Sequence, residues 1–167
     1  MCTAIFLGDS AVGKTSFLQR ASHSRIGRIQ PTIGVDFAIY QTENVTVQCW
    51  DVSGSSRFEK VIPLFAQKCQ VVVYMFDVSR PYTLERIKYW QGIIENLNSE
   101  HIHFLVANRF DLGNQCGKLS QIARKYPNLE LLDGRYPHKV MEEIAERTRT
   151  MSVEVETTRQ RCCFNLF

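Results

Sequence analysis

Eight residues near the amino end constrain this chain more than any other stretch. Gly8-Asp9-Ser10-Ala11-Val12-Gly13-Lys14-Thr15 fits the pattern G-x-x-x-x-G-K-[ST], between a β-prone run, Thr3 to Leu7, and a helical pattern that begins near Lys14. In a strand–loop–helix setting the backbone N–H groups of such a loop converge on an anion, and the helix turns its positive end toward it. Gly13 allows close approach. Lys14 is placed to reach the outer phosphates of a nucleotide, and Thr15 to offer its hydroxyl to Mg²⁺, a hard cation that prefers oxygen. Asp9, Ser10, Ala11, Val12, Gly13, Lys14, Thr15 and Ser16 are therefore candidate nucleotide-binding residues. The bland alternative, a glycine turn with a surface lysine, does not account for the flanking strand and helix.

The rest of the chain extends that beginning into an α/β pattern. Val35 to Tyr40 and Val45 to Asp51 are β-prone runs separated by the polar turn Gln41-Thr42-Glu43-Asn44, which predicts a hairpin. Val71 to Phe76 is apolar throughout, as in a strand covered on both faces. Pro81 opens a helix with Leu84, Ile87, Ile94 and Leu97 on one face and Trp90 and Ile93 beside them. Phe104 to Ala107 reads as another strand, Ile122 to Tyr126 as a short helix, and Leu129 to Leu132 as the last strand. A final helix is expected from about Val140 through Ile144 to Thr148. Alternation of this kind predicts a mostly parallel, six-stranded sheet with helices on both faces. The 167 residues leave room for one domain, expected over 1–150, with 151–167 as a tail.

Several function classes are disfavoured. A net charge of +3 is too small to argue for nucleic-acid binding. The longest apolar run, Val71 to Phe76, falls far short of the roughly 20 residues that span a bilayer. The start, MCTAIFLGDS, lacks the basic head and cleavage site of a secretory signal, which leads to the expectation of a cytoplasmic protein. The six cysteines have no zinc-like spacing and are expected as free thiols.

Asn108-Arg109-Phe110-Asp111 follows the strand FLVA directly, so its polar side chains emerge at a strand's C-terminal end, where α/β sheets bind ligands. A carboxylate there can accept from guanine's N1–H and exocyclic amine, a donor pair adenine lacks. Alone, an N-x-x-D string reads better as a solvated turn.

With these motifs the chain resembles a Ras-superfamily small GTPase, and most of all the Rab family, over about residues 3 to 150. Thr32-Ile33-Gly34-Val35-Asp36-Phe37 matches the Rab switch I segment T-I-G-V-D-F, and Trp50-Asp51-Val52-Ser53-Gly54 is a variant of W-D-T-A-G. The resemblance implies a P-loop NTPase small G-domain that binds GTP or GDP with Mg²⁺. Thr32 and Thr15 would ligate the metal, Asp51 would hold it through water, and the Gly54 N–H would contact the γ-phosphate. Asn108, Arg109 and Asp111 would face the guanine. Ile33, Gly34, Val35, Asp36 and Phe37, with Trp50 and Phe65, fall where Rab proteins present an effector surface; plain packing is the alternative for the three aromatic residues.

The departures are as informative. Ser55 stands where the family's D-x-x-G-Q glutamine orients the attacking water, and Ser53 replaces an alanine. A serine is too short to replace the glutamine, so hydrolysis is expected to be impaired. Arg109 replaces the lysine of N-K-x-D, and Arg25, seven residues before Thr32, stands where relatives often carry an aromatic. The motif E-T-S-A-K is represented by Leu131-Leu132-Asp133-Gly134-Arg135, with Gly134 as the candidate backbone donor to guanine.

Cys162-Cys163 resemble the paired cysteines that Rab proteins prenylate, but four residues follow them and no C-a-a-X box is present. Ordinary or palmitoylated thiols remain the alternative. The expectation is a monomeric GTP/GDP switch in vesicle trafficking, peripheral on the cytosolic face of membranes, with effectors, an exchange factor and an activator as partners. The alternative is a GTP-bound module that does not cycle and sequesters Rab effectors. A small-molecule P-loop kinase would need a lid and an acceptor site for which no segment is available.

Overall fold

The computed structural model describes residues 2–22, 30–42, 46–97 and 100–164, with side chains described up to residue 150. Glu43 and Asn44 of the predicted hairpin turn and Val45, the start of the strand expected after it, lie outside the described residues, as do Arg25 and the side chains of Cys162 and Cys163.

Six strands form one sheet: β1 (Cys2–Leu7), β2 (Val35–Gln41), β3 (Thr46–Val52), β4 (Val71–Asp77), β5 (Ile102–Asn108) and β6 (Glu130–Asp133), in the order β2-β3-β1-β4-β5-β6. All neighbours are parallel except β2 and β3. The α/β fold class, with its mostly parallel six-stranded sheet, is the one the sequence predicts. The helices are α1 (Lys14–Ala21), α2 (Ile62–Ala66), α3 (Pro81–Glu85), α4 (Ile87–Glu95), α5 (Leu119–Lys125) and α6 (Pro137–Phe164).

Strand parity assigns the two faces. Ala4, Phe6, Cys49, Val73, Met75 and Val106 pack with Phe17 and Leu18 of α1 and Val140, Met141 and Ile144 of α6. Ile5, Leu7, Val72, Tyr74, Phe76 and Leu105 pack on the other side with Ile62 of α2, Ile87, Trp90 and Ile94 of α4, and Ile122 of α5. Both faces of the central strands are therefore apolar, and β4 is buried at all seven positions. The crossovers from β1 and from β3 leave by opposite faces, which opens a crevice beyond the C-terminal end of β1.

Three elements differ from expectation. The helix opened by Pro81 is two, α3 and α4, meeting at Arg86. A 3₁₀ segment, Ser56–Val61, and the short α2 fill a stretch for which the sequence offered no periodic pattern. The last helix does not stop near Thr148 but continues in backbone to Phe164, across the boundary expected at 150. Residues 137–164 hold one proline, at the first helical position, and no glycine, so no breaker ends the helix where its apolar stripe ends.

Among the described residues Cys2, Cys49, Cys69 and Cys116 are free thiols. Burial pushes Cys49 and Cys69 up to about 12, which makes them packing groups rather than nucleophiles. No described helix is long and apolar enough to cross a membrane.

Candidate nucleotide-binding site

A cleft of about 430 Å³ lies beyond the end of β1, lined by Ser10, Ala11, Gly13, Lys14, Thr15, Ser16, Thr32, Gly54 and Arg109 among the residues the sequence singles out. Gln30, Pro31, Val52 and Ser53 complete it. Its floor is the loop before α1. Gly13 caps that helix at φ +94°, and a Cβ there would come within 2.6 Å of Asn108 Nδ2, so glycine is required twice over. Gly54 approaches the same loop so closely that a Cβ would stand 2.3 Å from the Ser10 nitrogen.

Lys14 is buried, only 6% exposed, and donates from Nζ to the carbonyls of Gly8 at 2.8 Å and Asp9 at 3.0 Å. Burial lowers it to about 8, with Asp51 and Asp9 pulling the other way. An ammonium held by carbonyls at the head of a cleft is stabilised by any anion that enters.

Beside it three oxygen-bearing side chains converge. The Thr15 hydroxyl donates to Asp51 Oδ2, Thr32 Oγ1 donates to the same oxygen at 3.2 Å, and the two hydroxyls are 2.8 Å apart. Asp51 is 3% exposed, and burial raises its carboxyl above the usual carboxylate range against the pull of Thr15, Lys14 and Thr32. Its second oxygen, Oδ1, is buried with no hydrogen-bond partner. An all-oxygen donor set of one carboxylate and two hydroxyls, with an acceptor to spare, fits Mg²⁺, which retains water and binds through few carboxylates.

Not every candidate side chain faces the cleft. The Asp9 carboxylate turns away from it: Oδ1 accepts from Arg86 Nε at 2.8 Å and from the Trp90 indole N–H at 3.0 Å. Asn108 is buried and donates from Nδ2 to the Val12 carbonyl at 2.9 Å, bracing the loop from behind. Asp111 is exposed and lies 3.4 Å from Arg109 Nε. The stem of Arg109 lies beside Gly13, its Cδ 3.3 Å from where a Cβ on that glycine would stand. Gly134 needs correction: its N–H donates to the Ala107 carbonyl at 2.7 Å, so it is engaged by the sheet rather than aimed at a ligand. Asp133 is held by Arg135 in a two-pronged pair.

Phe37, Trp50 and Phe65 form a row across β2, β3 and α2, with successive ring centroids 4.9 Å apart. The row is partly exposed, and Ile33 (86% exposed), Ile39 and Leu64 add apolar surface. Val35 packs against the same core, Asp36 is exposed, and the Gly34 carbonyl accepts from the Ser53 N–H at 2.9 Å. Ser55 lies at the start of the 3₁₀ segment, and its N–H donates to Ser53 Oγ at 3.4 Å.

Sequence reasoning missed Arg86, Tyr89 and the indole N–H of Trp90, because helical spacing explains these positions as packing. Asp9, the one carboxylate in the Gly8–Thr15 stretch, was the available signal.

Comparison with known proteins agrees with this geometry. The family model described as the Ras of Complex (Roc) domain of DAPkinase matches residues 3–111. The chain is 37% identical to Ras-related protein Rab-7B of Dictyostelium discoideum, over 52% of this chain and 44% of that protein. It is 33% identical to human Ras-related protein Rab-7L1, over 72% of this chain and 64% of that protein. With Arabidopsis thaliana RABA6b the figures are 33%, 66% and 51%. The chain thus spans less than two thirds of the length of these relatives.

Proposed function

This chain belongs to the Ras-like small GTPases, as a divergent Rab-like member, and on that premise we propose that it binds GTP and GDP as a switch with hampered hydrolysis. The observation that carries the reading is the buried Lys14 ammonium beside the Thr15, Thr32 and Asp51 oxygens at the mouth of a glycine-rich loop. The residues divide the work. Backbone N–H groups of the loop and Lys14 bind the phosphates, while Asn108 keeps the loop in shape. Thr15, Thr32 and Asp51 are the residues that would hold Mg²⁺, which supplies fixed positive charge for the phosphate oxygens. Asp111 accepts from guanine, and the Arg109 stem covers it.

Titration calorimetry with Mg²⁺ tests the reading: GDP and GTP bind, and ATP binds much more weakly. Absence of heat with both guanine nucleotides overturns it.

At the position that orients the attacking water, Ser55 cannot span the distance a glutamine covers. Catalysis of phosphoryl transfer here is positioning and electrostatics, so the shortfall appears in rate rather than affinity. Ser55→Gln is expected to raise single-turnover GTP hydrolysis by about tenfold or more. An unchanged rate sinks the claim. Ser55 also favours a second reading, a GTP-bound module that does not cycle and sequesters effectors; equal effector affinity of GDP and GTP forms would select it.

The exposed row Phe37, Trp50 and Phe65, with Ile33, suits docking of an apolar partner surface. We assign to it the effector role, with an exchange factor and an activator acting on the same switches. Cys162 and Cys163 are proposed as lipid attachment sites that hold a monomer on the cytosolic face of a trafficking membrane; intact-mass measurement on protein from eukaryotic cells reads the added chains directly.

A further inference from the structure

The corner between α3 and α4 touches both segments that flank the phosphate end of the cleft. Asp9, 9% exposed, gives one carboxylate oxygen to Arg86 Nε at 2.8 Å and to the Trp90 indole N–H at 3.0 Å. Three residues after Arg86, Tyr89 lies against the guanidinium, whose carbon is 4.8 Å from the ring centroid. Its hydroxyl donates to Glu59 Oε2. Glu59 belongs to the Ser56–Val61 segment, which follows Gly54 and Ser55 directly. One guanidinium thus joins loop and segment, through Asp9 on one side and through Tyr89 and Glu59 on the other.

We propose that Arg86 and Tyr89 are positioning residues that clamp the Ser56–Val61 segment to the phosphate loop whichever nucleotide is bound. The proposal rests on reading the cleft as a guanine-nucleotide switch. Where a γ-phosphate is what orders the segment after the glycine, its loss releases that segment. Here the Arg86–Asp9 and Tyr89–Glu59 contacts include no phosphate oxygen, so departure of the phosphate removes neither. Both are charge-assisted, the stronger class of hydrogen bond. A ligand shifts a conformational equilibrium only through contacts that differ between the two states. The clamp makes contacts that do not differ, and so reduces the share of switching carried by residues 56–61. Nucleotide-dependent change is then concentrated around Thr32 and Gly34. A partner that docks on Ser56–Ala66 meets nearly the same surface in both forms.

Amide hydrogen exchange in peptides covering residues 56–66, with GDP or a non-hydrolysable GTP analogue and Mg²⁺, tests this. Wild-type exchange is expected to agree within twofold between the two forms. Tyr89→Phe and Glu59→Ala are each expected to raise it about fivefold in the GDP form and less than twofold in the GTP form. Glu59→Gln, which keeps an acceptor oxygen, is expected to retain most of the protection. Calorimetry on the same proteins separates the two ideas: failure to bind either nucleotide ends the switch reading. In that event the clamp is read in nucleotide-free protein, by comparing Tyr89→Phe with wild type over 56–66. A large nucleotide-dependent difference in wild type, or exchange in Tyr89→Phe and Glu59→Ala that matches wild type, overturns the clamp.

Discussion

Lys14 lines the cleft, Asp111 stands outside its lining beside Arg109, and the two are held in opposite ways. Lys14 is buried and fixed by two backbone carbonyls. The loop around it is braced by Asn108 behind and by Arg86 and Trp90 beside it. Asp111 is about two thirds exposed, and its near partner is a cleft residue, Arg109. Asp133 and Arg135 likewise satisfy each other. On the proposed reading, phosphate recognition would fall to backbone and a desolvated charge, which tolerate little change. Base recognition would fall to exposed side chains that must first leave their own partners, and exposed pairs are worth about 0–1 kcal/mol. The geometry therefore favours firm grip on phosphates with softer choice of base.

That contrast can be broken at three levels. The largest effect is expected from Lys14→Ala, which removes the buried charge. A hydrogen bond to a charged group contributes about 1.5–3 kcal/mol, so GTP and GDP affinity should fall about a hundredfold by calorimetry. A loss of less than about threefold would mean the phosphate end is not built around this ammonium. A smaller effect is expected from Asp111→Ala, about a tenfold loss of GTP affinity with weak ATP binding unchanged. If the ratio of the two affinities stays put, Asp111 does not read the base. Ala11 offers the smallest effect: it adopts φ +62°, a left-handed conformation that costs a residue with a Cβ about 1–2 kcal/mol. Ala11→Gly relieves that strain at some cost in unfolded-chain entropy, for a net gain of about 0.5 kcal/mol in thermal unfolding with GDP bound. A loss of stability would show that the loop's strain is stored elsewhere.

How far the sequence could be read follows from the range of each interaction. The loop from Gly8 to Thr15 was legible because its glycines, lysine and threonine, and the strand and helix around it, lie within one short stretch. The strands β4 and β5 were legible because burial on both faces leaves an unbroken apolar run. The Ser56–Val61 segment was not, since a 3₁₀ turn anchored by Glu59 carries no period. The break at Arg86 was hidden because Leu84 and Ile87 stay three apart on one face through it. Asn108 and Gly134 were placed correctly at strand ends, yet each spends its polar group on the scaffold, one on Val12 and the other on Ala107.

What the amino-acid order settled alone was local chemistry: an anion-binding turn, alternating strands and helices, and a serine where a glutamine is customary. The tertiary structure decided the pairings. Asp9 meets Arg86 and Trp90 across 77 and 81 residues, and Asn108 meets Val12 across 96. Such contacts depend on which strand lies beside β1 and on which face each crossover packs. No periodicity within a single element encodes that arrangement, because it is fixed only when the apolar faces of all of them close on one sheet.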